Sequence, residues 1–128
     1  MKNLKDNILF VSCFMTLLLS QSFVSANSKI TKEQRDMLTQ AKVLESSGLI
    51  EQASTAYNNI LIKFPYLKEA YYPLKKIYLK DKNWDILAEI SKKYLDANKY
   101  STNSKLDVIE VYIITGNTEW KKIINELF

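Results

Sequence analysis

Two glycines set the frame for this chain. Gly48 and Gly116 lie 68 residues apart, which is twice 34. Sliding the sequence by 34 places Leu44 over Tyr78 and Tyr112, and Val43 over Ile77 and Val111. The same shift aligns Glu51 with Asp85 and Glu119, Ala53 with Leu87, and Ile60 with Tyr94 and Phe128. Apolar residues fall on apolar columns and acids on acidic ones. A fixed period of this length is the signature of a stacked repeat, because one short unit cannot bury its own apolar face. Lys82 fills the glycine column of the middle copy, inside the polar run KDKNWD, which still reads as a tight turn.

Within each period the apolar spacing is helical. The segment TKEQRDMLTQAKVLES opens with Thr31 and Gln34 in capping-box positions and sets Met37, Leu38, Ala41 and Leu44 on one stripe. Gly48 closes that helix. A second helix runs from Ile50 through Ala53, Tyr57, Ile60, Leu61 and Phe64, and Pro65 ends it. The chain therefore divides into three helical hairpins, at about 31–65, 66–99 and 101–128. Asn98 to Asn103 is a polar junction, and Ser104 with Asp107 is expected to cap the fifth helix. Pro73 lies inside YLKEAYYPLKKIYLK, where an interior proline costs ~3 kcal/mol. The third helix either kinks there or begins near Tyr72. The acids Glu51, Asp85 and Glu119 fall in the first turn of each second helix, where the helix dipole favours them. Tyr71 and Tyr72 point about 100° apart on a helix, so they are not both expected in the core.

A 34-residue helix-turn-helix with these markers resembles the tetratricopeptide repeat. Ala41, Gly48, Ala53, Tyr57 and Pro65 occupy that family's small, turn, small, aromatic and terminal-proline columns. In the second unit Tyr71, Leu74 and Tyr78 fit, whereas Lys75 and Leu87 stand in small-residue columns; the third keeps Gly116. The resemblance implies an all-α, right-handed solenoid of helical hairpins, about three repeats, whose first helices line a concave groove. Carried over, the groove columns are Arg35, Leu38, Lys42 and Glu45, then Glu69, Tyr72, Lys76 and Leu79 with Lys80 beside them. The third unit adds Asn103, Leu106, Glu110 and Ile113. Such a surface is basic, aromatic and aliphatic, suited to an extended peptide or amphipathic helix of acidic character. Arg35, Lys42, Tyr72, Lys76, Leu79 and Lys80 are the expected partner-binding residues. Some members of the family grip a terminal carboxylate with set asparagines and lysines. Thr39, Pro73 and Asp107 fill the needed asparagine column here, so no such clamp is expected.

The N-terminus follows a different grammar. Lys2 and Lys5 precede a mostly apolar run from Ile8 to Leu19, and Val24-Ser25-Ala26 offers a signal-peptidase site. Residues 1–26 read as a secretory signal, leaving 27–128 as one small domain, exported to the periplasm or beyond. Two alternatives stay open: an uncleaved anchor over Ile8 to Val24, and lipid modification of Cys13. Cleavage after Ala26 removes the only cysteine, and the chain has no histidine. The commonest bases, nucleophiles and metal ligands are then missing, and no glycine-rich phosphate loop occurs. No enzyme activity, cofactor or metal is expected.

The net charge of +4 falls by one when Lys2, Lys5 and Asp6 leave, too modest for a nucleic-acid partner. These features point to an interaction scaffold for another protein of a bacterial envelope. The alternative is a truncated or self-associating repeat module. Its apolar end, TEWKKIINELF over 118–128, would then seek a second copy or the membrane surface.

Overall fold

The computed structural model describes residues 29–127. The signal reading of 1–26, Cys13 and the terminal Phe128 lie outside them. All regular structure among the described residues is helical. In order the helices are α1 (Lys32–Ser46), α2 (Ile50–Lys63), α3 (Lys68–Lys80), α4 (Trp84–Ala97), α5 (Thr102–Thr115) and α6 (Trp120–Asn125). Each helix packs on the next along the chain, so they associate in consecutive pairs, and the region from Lys32 onward forms one compact unit. Among the described residues no helix is long and apolar enough to cross a membrane.

The turns within the pairs are three versions of one structure. The N–H of Leu49 donates to the carbonyl of Leu44 at 3.0 Å, that of Asn83 to Tyr78 at 3.0 Å, and that of Asn117 to Tyr112 at 2.8 Å. One residue earlier, Gly48 donates to Glu45, Lys82 to Leu79 and Gly116 to Ile113. This pair of hydrogen bonds satisfies the last carbonyls of a helix and requires a left-handed residue at its centre. Gly48 has φ 77°, Gly116 φ 73° and Lys82 φ 55°. Lysine thus adopts the glycine conformation in the middle copy.

The turns between pairs repeat as well. Phe64 donates to Ile60 and Asn98 to Tyr94; Leu67 donates to Phe64 and Ser101 to Asn98; Tyr71 donates to Leu67 and Lys105 to Ser101. In every case the second bond lies 34 residues after the first. The period read from side chains is therefore also a period of the backbone.

Three local expectations need correction. Ser101, not Ser104, caps α5: its side chain accepts the N–H of Ser104 at 3.2 Å, and Asp107 is occupied elsewhere. Helix α3 begins at Lys68 rather than near Tyr72, because Leu67 in an extended conformation accepts the N–H groups of Ala70 and Tyr71. Pro73 sits in its interior and leaves the carbonyl of Glu69 without the usual donor. Glu51 and Asp85 do occupy first turns, but Glu119 stands at the N-cap of the short α6. There Asn117 Oδ1 accepts the N–H of Glu119 at 2.9 Å and delays the helix start.

The core runs along the inner stripes. Ala41, Ala53, Tyr57 and Ile60 fill the first pair; Tyr71, Leu74, Leu87 and Tyr94 the second; Val108, Val111 and Tyr112 the third. Each large side chain so placed contributes ~1.5–3 kcal/mol. Helix α3 buries a broader arc than α1, from Ala70 through Tyr71, Leu74 and Lys75 to Ile77, since it meets neighbours on two sides. On α1 the buried stripe is Gln34, Leu38 and Ala41, and Val43 faces away from it, exposed. Tyr71 stacks flat on Tyr94, ring centroids 4.0 Å apart and planes 2° from parallel. Its hydroxyl pairs with Ser91 Oγ at 2.9 Å, and Ser104 Oγ pairs with the Tyr94 hydroxyl. Every buried side-chain nitrogen and oxygen among the described residues has a partner.

Candidate functional site

The first helices α1, α3 and α5 carry all the side chains singled out for binding. Arg35 and Lys42 stand two turns apart on one face of α1, both exposed. Lys76 and Lys80 stand one turn apart on α3, also exposed. None of these four makes an ion pair among the described residues; the paired cations are Lys63, Lys75, Lys93 and Lys105. Leu79 is half-buried beside them, and Tyr72 is 41% exposed.

Tyr72 does more than present a ring. Its hydroxyl donates to a carboxylate oxygen of Asp107 on α5. Burial, then the hydrogen bond and charge of Asp107, push the phenol above its ordinary range, so it remains a neutral donor. One turn further along α3, Lys75 Nζ donates to Glu110 Oε2 at 2.6 Å. These two bridges tie the first helix of the second pair to the first helix of the third. Helix α1 is tied more loosely, through Gln34 Nε2 donating to the Tyr66 hydroxyl at 2.9 Å in the turn before α3.

Other groove columns have structural duties. Leu38 is buried in the core. Glu45 accepts the Tyr57 hydroxyl at 2.8 Å; burial first, then that bond, pushes the Tyr57 phenol up. Lys75, in a column expected to hold a small residue, is only 8% exposed and lies with its stem packed and its charge on Glu110. On α5, Leu106 and Ile113 are 53% and 56% exposed. Of the apolar chain end, Ile123 points into the core, while Ile124 and Leu127 are half-buried.

A concavity that sequence reasoning missed lies between α2 and α4. It measures about 470 Å³ and is walled by Leu61, Ile62, Pro65, Ile90, Tyr94 and Ala97. Ile62 is 71% exposed at its edge. The signal was present: Ile60, Leu61 and Ile62 are consecutive, and three successive positions on a helix cannot all face one core. Among the described residues no cluster of three His, Cys, Asp or Glu side chains is placed to hold a metal ion. What the first-helix strip offers is cationic and apolar contact. No protein-family model matches the chain, and no curated protein matches it.

Proposed function

We propose that this chain is a non-enzymatic scaffold of a bacterial cell envelope, a right-handed solenoid of three tetratricopeptide-like hairpins that holds another envelope protein. Residues 27–128 form the exported scaffold, and 1–26 direct its export. The contact surface is the first-helix strip, where Arg35, Lys42, Lys76 and Lys80 supply positive charge and Tyr72 and Leu79 supply apolar contact. The partner segment is an acidic peptide or amphipathic helix.

The observation that carries this reading is the set of unpaired cations. Among the described residues Arg35, Lys42, Lys76 and Lys80 are exposed on this strip without an ion-pair partner, while Glu110 is bonded to Lys75 and Asp107 to Tyr72. Charge left free on one strip is available to a ligand and steers its approach. The 34-residue recurrence of turn hydrogen bonds supports the solenoid.

The test is a crosslinked pull-down of the tagged chain from its host envelope, with a Lys42→Glu, Lys76→Glu variant run in parallel. Both positions are exposed and unpaired, so helicity measured by circular dichroism should be unchanged. A partner held by the parent and lost by the variant is the expected result. Equal capture by both removes the strip from the interaction, and capture of nothing by the parent removes the scaffold reading.

A further inference from the structure

A second concavity lies among α4, α5 and α6 and measures about 340 Å³. That volume is at the lower end for small-molecule sites. Leu95 and Ile123 give it aliphatic walls, and Tyr112 lines it from α5. Tyr112 is only 1% exposed, and its hydroxyl makes no hydrogen bond among the described residues. Every sealed side-chain oxygen there has a partner, so this one is not sealed: it opens into the concavity that it lines. A buried phenol left without a protein partner calls for a ligand or water.

The two ends of the concavity differ in sign. Around the hydroxyl stand Glu119, at the start of α6, and Asp96, on α4. Neither carboxylate makes an ion pair among the described residues. Burial first, then the charges of Glu119 and Asp96, hold the phenol above its ordinary range. It therefore stays neutral, and its oxygen can accept from a donor. Two turns back on α5, Lys105 has a side chain only 17% exposed. Its ammonium meets Glu126 Oε2 at 3.6 Å, beyond hydrogen-bond reach. Glu126 is itself exposed, with Lys122 four residues before it in the same wall as a second partner. Lys92 and Lys99, also in the wall, are exposed to solvent. One end thus offers negative charge and an acceptor, the other a poorly satisfied cation.

We infer that this concavity binds a zwitterion of dipeptide size, with its ammonium between Asp96, Glu119 and the Tyr112 oxygen and its terminal carboxylate on Lys105. The length follows from the helix. Lys105 and Tyr112 are seven positions apart on one face, about 10 Å along the axis. A dipeptide spans about 7 Å between its charged ends, and a hydrogen bond at each end closes the gap. A single amino acid is about half as long and reaches only one end. Leu95 and Ile123 flank the span, so apolar side chains suit it. This inference does not rest on the acidic-partner reading, because the cationic columns of α1 and α3 lie outside the concavity.

Titration of the isotope-labelled full chain with L-alanyl-L-leucine, followed by amide chemical shifts, tests the proposal. Saturable shifts around Leu95, Tyr112 and Ile123 are expected, with a Kd of about 1 mM. Blocking either end, as the N-acetyl or the C-amide form, should weaken binding about tenfold, as should shortening the probe to leucine. Tyr112→Phe removes only a hydroxyl that bonds to no protein group, so the fold should hold while affinity falls about fivefold. Lys105→Met keeps the packed stem. It should erase the difference between the dipeptide and its amide, while the acetyl form stays weaker. A distorted fold would erase both differences together. No saturable shift at about 20 mM dipeptide, equal affinity for the blocked forms, or unchanged affinity in Tyr112→Phe overturns the proposal. So do shifts confined to the cleft between α2 and α4.

Discussion

Replacing Lys82 with glycine should stabilise the fold. Lys82 has φ 55°, in the column where Gly48 and Gly116 have φ 77° and 73°. An L-residue in the left-handed region costs about 1–2 kcal/mol, because Cβ crowds the following carbonyl. Glycine avoids that cost but loses about 0.5–1 kcal/mol more chain entropy on folding. The difference leaves a net gain of roughly 0.5–1 kcal/mol, or a rise of about 2–8 °C in Tm for a domain of this size. The converse changes isolate the cause. A Cβ built on Gly48 or Gly116 meets nothing within 4 Å, so Gly48→Ala and Gly116→Ala are penalised by backbone conformation alone. Each should cost about 1 kcal/mol. The turns are far apart in the chain and share no partner, so Gly48→Ala combined with Lys82→Gly should come close to the parent. Urea denaturation followed by circular dichroism reads all four as midpoint shifts at constant slope. A Lys82→Gly variant that melts lower than the parent, or glycine replacements that leave the midpoint unmoved, would refute the claim that one turn geometry recurs three times.

Four further outcomes follow from named residues. Glu110→Gln removes the carboxylate from a lysine that is 8% exposed and should destabilise by about 1–3 kcal/mol, less than for a fully buried pair because the Glu110 side chain is 61% exposed. Lys75→Met keeps the packed stem without the charge and should stay within about 1 kcal/mol of the parent by the same denaturation assay. Pro73→Ala restores a donor inside α3 and should raise stability by about 1–3 kcal/mol, read as a higher midpoint and slightly higher helicity. Alkaline pH should unfold the protein: Tyr57, Tyr71, Tyr72, Tyr94 and Tyr112 all have raised folded values, in each case with burial as the first cause. A raised acid favours folding fully below its unfolded value, and that contribution is lost as pH climbs past about 10. Tyrosinate absorbance should therefore appear for these five together with loss of helicity, not before it.

The hairpin boundaries were readable because backbone chemistry marks them. Glycine, proline and short polar runs fall where a helix must stop, and the apolar stripes between them have one period. Even Lys82 announced its turn through the polar residues around it. Adjacent tyrosines sorted as helix geometry demands, with Tyr71 fully buried and Tyr72 at the surface. What escaped the sequence depends on contacts between distant positions. Asp107 looked like a capping residue until α3 supplied Tyr72 as its donor, leaving Ser101 to cap α5. Lys75 looked like a misfit in a small-residue column, and only Glu110, 35 residues on, explains how its charge is held. The apolar chain end suggested an exposed surface at α6; there Ile123 turns inward, and Ile124 and Leu127 are half-buried. The cleft between α2 and α4 needed two helices that no local pattern pairs. Of the expected binding residues, the four cations are as accessible as their spacing suggested, while Tyr72 is shared between the surface and the joint to α5.

The most direct measurement places a photocrosslinking side chain at one position at a time in living host cells. Positions 42 and 76 report on the first-helix strip, and position 62 reports on the cleft between α2 and α4. All three are exposed, so none should disturb the fold. Crosslinks from Lys42 and Lys76 to one envelope protein, with none from Ile62, are expected. Crosslinks to a partner from Ile62 alone would contradict the assignment of the binding surface, and silence at all three positions would contradict the scaffold itself.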